Sequence, residues 1–148
     1  MTAPILVFGW GNPSRGDDAL GPLFVERIEA LNLPGVECLT DFQLQVEHAL
    51  DLRDRQRVLF VDASVNAEAP YQINTVTPAR DKTFTSHAIS AAAVLQAYCD
   101  VEESEPPQTW QLAIRGEAFE LGEPLTEIAE QRLEDALTWA KSWLQPKG

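Results

Sequence analysis

The chain is predicted to be an α/β protein of three layers, α/β/α, built on a central mostly parallel, mixed five-stranded twisted sheet. Two observations predict this. Short apolar runs of strand length alternate with segments whose apolar residues recur at helical spacing, and right-handed strand–helix–strand crossovers cover both faces of such a sheet with helices. No internal repeat, low-complexity tract or linker interrupts the pattern, so positions 1–148 read as one domain. That length buries a sizeable core without disulfides or metal staples.

The first strand is Ile5 to Trp10, an apolar run closed by glycine, as expected of a buried parallel strand. Leu20, Leu23, Phe24, Ile28 and Leu31 then recur at helical spacing, and the stretch closes at Asn32-Leu-Pro34. Val36 to Thr40 reads as a second strand ending at Asp41, followed by a short helix carrying Val46, Ala49 and Leu50. A third strand, Arg57 to Val61, ends at Asp62. Tyr71 to Thr77, bracketed by Pro70 and Pro78, alternates as an edge strand whose direction the sequence leaves open. Thr85 or Ser86 is placed to cap a helix through Ile89, Ala92, Ala93, Leu95 and Tyr98, with His87 in its first turn. The acidic, proline-bearing stretch 100–107 is a loop, and Thr109 to Ile114 the last strand. From Pro124 to Leu144 a stripe of Ile128, Ala129, Leu133, Ala136, Leu137, Ala140 and Leu144 predicts a long covering helix, with Pro124 in its first turn.

Composition narrows the function. A net charge of −12 opposes a nucleic-acid partner, which needs clustered Lys and Arg. No apolar stretch approaches a membrane span and the start lacks the features of a signal peptide, so a cytoplasmic protein is expected. Cys38 and Cys99 form no CxxC pair and read as buried thiols. Trp10 and Trp110 are candidates for an exposed interaction patch, whereas Trp139 and Trp143 sit at core or flank positions of the last helix.

The most informative segment is Gly9-Trp-Gly-Asn-Pro-Ser-Arg-Gly-Asp-Asp-Ala-Leu-Gly21. It leaves the first strand at the sheet's carboxyl edge, where open α/β sheets bind ligands. Gly9 and Gly11 allow a sharp turn, and Asn12 and Asp17 can satisfy freed backbone N–H groups, leaving Asp18 facing the cleft. Equally, Asp17 and Asp18 read as caps of the following helix. If the first and third strands are parallel neighbours, Asp18 and Asp62 emerge at one edge, and the loop carrying His87 can join them. Two carboxylates and an imidazole suit Ni, Zn, Mn or Fe. The competing account of His87 is a helix-start histidine bonded to a nearby carboxylate. His48, beside Glu47 on an amphipathic helix, reads as a surface residue. Neither Ser64 nor Ser86 has a nucleophile elbow, and no HExxH is present.

Gly9-Trp-Gly-Asn12, then Asp17-Asp18-Ala-Leu-Gly21, an apolar strand ending in Asp62 and a later Ser86-His87 together resemble the NiFe hydrogenase maturation protease family along nearly the whole chain. The resemblance implies an endopeptidase that removes a C-terminal extension from the precursor of a hydrogenase large subunit once nickel is inserted. It implies that Asp18, Asp62 and His87 bind the nickel and carry the catalysis, and that Asp41 handles substrate. The nickel arrives with the precursor, so no tightly bound metal is expected in the resting enzyme, which is expected to be a monomer. Two departures stand out: many relatives carry Glu at the position of Asp18, and a glycine-rich segment where this chain has Asp41-Phe-Gln-Leu-Gln-Val-Glu-His48. That segment is expected to help select the hydrogenase subunit. A nickel-sensing chaperone using the same residues is the alternative. A nucleotide-binding domain fits poorly, because the third glycine and a Walker lysine are missing and Asp17 and Asp18 repel phosphate.

Overall fold

The computed structural model describes residues 2–81 and 89–145. In chain order these form β1 (Ile5–Trp10), α1 (Leu20–Glu29), β2 (Val36–Asp41), β3 (Arg57–Ser64), β4 (Tyr71–Thr75), α2 (Ala91–Glu102), β5 (Gln108–Arg115) and α3 (Glu127–Trp143), with 3-10 segments at Gly16–Ala19 and Val46–Leu52. The sheet order is β2-β1-β3-β5-β4. All neighbours are parallel except β4, which runs antiparallel to β5 at the edge. The expected mostly parallel, mixed five-stranded sheet is therefore present, and the direction of its edge strand is now fixed.

Strand periodicity explains why β1 and β3 read as unbroken apolar runs. Successive side chains point to opposite faces, and here both faces are covered. Val7, Leu59 and Val61 enter a core with Phe24 and Ile28 of α1 and Leu133 and Leu137 of α3. Leu6, Phe8, Val58 and Phe60 enter a second core with Leu52, Val94 and Leu95. Fully burying side chains of this kind contributes about 1.5–3 kcal/mol each.

The element ends depart from the expected ones for local reasons. α3 starts at Glu127, three residues after Pro124, because Thr126 is its cap and accepts the Ala129 N–H at 3.2 Å. Ile128 is exposed, and Arg132 turns inward instead, donating to Glu117 Oε1 at 2.8 Å and to the Arg115 carbonyl at 3.1 Å. α2 starts at Ala91, capped by Ser90, whose hydroxyl accepts the Ala93 N–H; Thr85 and Ser86 lie outside the described residues. The segment after β2 winds as a 3-10 helix with three residues per turn. Within it His48, Ala49 and Leu52 are buried, while Val46 and Leu50 face solvent.

Trp10 packs 5.7 Å from Phe60, and Trp110 packs 5.4 Å from Trp143, so these tryptophans brace the two cores instead of forming an exposed patch. Both cysteines are free and half-buried. Burial, together with the charges of Glu29 and Glu37, pushes the Cys38 thiol up to about 11. Among the described residues no helix is long and apolar enough to cross a membrane.

Candidate active site at the carboxyl edge of β1 and β3

Two glycines bring the first turn of α1 onto the sheet. A Cβ on Gly21 would lie 2.4 Å from the Trp10 carbonyl oxygen and 3.0 Å from that of Val61, so backbone meets backbone where the pairing of β1 with β3 ends. Gly11 adopts φ +149°, and a Cβ there would lie 2.0 Å from the Asp18 carbonyl oxygen. No side chain fits. The Gly16–Ala19 turn is thereby folded back over the edge, carrying both aspartates with it.

These adjacent aspartates then diverge. Asp17 is fully buried. Its carboxylate accepts the backbone N–H groups of Glu117 at 2.8 Å, Ala118 at 3.2 Å and Thr126 at 2.9 Å, and the Thr126 hydroxyl as well. Burial alone would raise its pKa, but those donors, Thr126 foremost, outweigh it and hold the group below the ordinary carboxylate range. Asp18 is half-buried and accepts the Asn12 N–H at 2.7 Å. Asn12 in turn accepts the Ser14 N–H at 2.8 Å. Neither aspartate caps α1, whose cap, Ala19, has no side-chain bond. Asp17 locks the turn to the start of α3, and Asp18 closes the glycine loop.

Asp62 is not the residue after β3, which continues to Ser64. Pairing with β1 stops at Gly9↔Val61 while pairing with β5 continues through Asp62↔Ala113. Asp62 is thus the first residue of β3 without a partner on its β1 side. Its carboxylate receives one hydrogen bond among the described residues, from the Gln111 amide at 3.2 Å. Burial first, and then the nearby charge of Asp18, raise its pKa to about 6 against the pull of Gln111. A carboxyl group titrating near neutrality can hold or release a proton during a reaction.

Of the predicted site residues, the structure brings Asp18 and Asp62 close enough to interact electrostatically. Asp41 lies at the same level, opposite Trp10, but on the far side of β1, about 10 Å from β3 at the usual strand spacing. His87 lies outside the described residues. Among the described residues no group of three or more His, Cys, Asp or Glu side chains is arranged to hold a metal ion. Asp18 and Asp62 supply two oxygen-donor groups of the kind a divalent ion accepts.

His48 is a correction. It is 9% exposed, packs edge-on against Phe8 at 4.6 Å, and its Nε2 lies 3.1 Å from Asp41 Oδ2. Its ring turns inward on the same side as Ala49 and Leu52, while Val46 is exposed. Gln111 is a site residue that the motifs do not point to, although an amide in the middle of an apolar strand is a readable signal. The bond from Asp17 to Thr126 has none, because it spans 109 positions.

No protein-family model matches the chain, and no curated protein sequence does. Solved structures do. The hydrogenase maturating endopeptidase HybD from E. coli matches with TM-score 0.75 and 26% identity over 95% of this chain and 91% of that one. The NiFe hydrogenase maturation protease HycI from Thermococcus kodakarensis KOD1 matches with TM-score 0.73 and 22% identity, covering 97% of this chain and 94% of that one. An Escherichia coli endopeptidase matches with TM-score 0.72 and 24% identity over 95% and 91% of the two chains. The likeness extends over nearly the whole chain in three dimensions: this chain has the fold of the hydrogenase maturation proteases.

Proposed function

We propose that the protein is an endopeptidase that removes the C-terminal extension of a NiFe hydrogenase large-subunit precursor after nickel insertion, acting in the cytoplasm. The nickel belongs to the substrate. Asp18, Asp62 and His87 engage it, and Asp41 holds the precursor beside it. The observation that carries this reading is the convergence of Asp18 and Asp62 at the carboxyl edge of β1 and β3, with one of the two held near pKa 6, in a fold shared with endopeptidases.

The chemistry follows from what the chain's own groups offer. The Cys38 thiol, in the middle of β2 and pushed up to about 11, stays protonated and is no nucleophile at neutral pH. The precursor's nickel supplies an electrophile. Asp18 is pre-set by Asn12 and needs little reordering to engage an ion. Asp62 keeps one oxygen bonded to Gln111 and offers the other, with a proton affinity suited to general acid–base work near neutrality. A precursor without nickel presents nothing for the two carboxylates to grip, so it is passed over.

Anaerobic incubation of nickel-loaded and nickel-free precursor, followed by intact-mass measurement, tests this. The expected result is loss of a C-terminal peptide from the loaded precursor only. An intact loaded precursor would make the protein a nickel-sensing binder, and equal cleavage of both forms would remove nickel from the mechanism.

A further inference from the structure

We propose that His48 is the positioning residue for Asp41, holding its carboxylate in one orientation at the mouth of the cleft beside the glycine loop. The proposal rests on the reading that Asp41 contacts the precursor. It starts from the hydrogen bonding of one ring. The backbone N–H of Gln45 donates to His48 Nδ1 at 2.8 Å. A backbone N–H can only donate, so Nδ1 carries no proton and the neutral ring bears its hydrogen on Nε2. That N–H points at Asp41 Oδ2, 3.1 Å away.

The ring has little freedom to do otherwise. Phe8 of β1 packs against it edge-on at 4.6 Å. The His48 N–H donates to the Gln45 carbonyl at 3.0 Å, closing the turn that carries the ring. The other oxygen of Asp41, Oδ1, accepts the Phe42 N–H at 2.7 Å. Asp41 therefore has both oxygens engaged from behind while its side chain remains 46% exposed. Its open side faces a shallow cleft lined by Gly11, Pro13, Pro22, Thr40, Asp41 and Phe42, on the side of β1 away from Asp62. A half-exposed carboxylate would otherwise sample several rotamers, and fixing one lowers the ordering cost when a partner's N–H or cationic group arrives.

The histidine ring allows two substitutions that separate positioning from mere folding. In His48→Asn the amide oxygen reaches the Nδ1 position and keeps the Gln45 bond, but the donor to Asp41 is gone. In His48→Gln the amide nitrogen reaches the Nε2 position and keeps the donor to Asp41, while the Gln45 bond is lost. Dissociation constants for nickel-loaded precursor are measured for both, for Asp41→Ala and for the Asp41→Ala/His48→Asn pair, with cleavage rates alongside. The expected result is about tenfold weaker binding for His48→Asn, near-normal binding for His48→Gln, and no further loss when His48→Asn is added to Asp41→Ala. Normal binding by His48→Asn, equal weakening in both histidine variants, or additive losses in the double variant would overturn the proposal. Unchanged binding by Asp41→Ala would overturn the role of Asp41 and the proposal with it. Binding without cleavage by the unsubstituted protein would overturn the endopeptidase reading alone, leaving the His48 comparison decided by the affinities.

Discussion

Asp17, fully buried, and Asp62, half-buried, are carboxylates at the carboxyl edge of the same sheet, yet their acidities move in opposite directions. The difference lies in donors. Three backbone N–H groups and a hydroxyl converge on Asp17, whereas Asp62 has the Gln111 amide and the charge of Asp18 nearby. A buried carboxylate whose lone pairs are filled is a structural tie. One left short of donors, next to a like charge, holds a reserve that another ligand or a proton can satisfy.

The largest expected effect on stability tests the tie. Asp17→Asn keeps the shape but turns an N–H pair toward groups that themselves donate, and should cost about 2–4 kcal/mol in denaturant unfolding. A loss under about 0.5 kcal/mol would show that the junction with α3 does not depend on the charge. Asp62→Asn should do the reverse and stabilise the protein by about 1–3 kcal/mol at pH 7, since each tenfold change in proton affinity corresponds to about 1.4 kcal/mol. The sign follows from linkage: a folded pKa of about 6, above the ordinary 3.8, means that the folded state holds the extra proton between those values. Stability is then lost as pH rises from about 4 through about 6. The advantage of Asp62→Asn should therefore vanish near pH 4, and a gain that ignores pH would contradict it. Asp17, with its lowered pKa, should instead contribute stability above the ordinary value that is lost as pH falls.

Smaller effects sharpen the same contrast. Thr126→Ala removes both a helix cap and a donor to Asp17, and should cost about 1–2 kcal/mol, with Thr126→Ser recovering most of it. Arg27→Ala breaks the contacts from α1 to Glu130 and Glu134 of α3. Those side chains are 40–62% exposed, so thermal unfolding should show a change below about 1 kcal/mol that fades with salt. A larger loss than that of Thr126→Ala would move the α1–α3 junction from Asp17 to the surface.

Much of this is legible in the sequence, and its limits have physical causes. β1 and β3 are visible because a strand buried on both faces must be apolar at successive positions. The Gly9-to-Gly21 segment is visible because backbone contact at the sheet edge excludes any Cβ. Asp18 and Asp62 fall together once β1 and β3 are parallel neighbours, the arrangement the sheet adopts. What separates Asp17 from its identical neighbour is a loop and helix start a hundred positions away, and nothing local encodes that. His48 is misplaced because what holds its ring inward, Phe8 of β1 and Asp41 of β2, lies outside its own segment. The starts of α2 and α3 shift by a few residues because Ser90 and Thr126 compete with nearby residues equally able to cap. His87 lies outside the described residues, and its place beside Asp62 belongs to the proposed function.

The central claim is that Asp62 serves the reaction at the expense of stability, and one preparation tests it. Asp62→Asn, checked for folding in the same sample, is given nickel-loaded precursor anaerobically and the cleaved fraction is followed by intact mass. The account predicts a protein at least as stable as the parent whose cleavage is slowed by about a thousandfold or more, roughly 4 kcal/mol of lost transition-state stabilisation. Cleavage at the parent rate would contradict it.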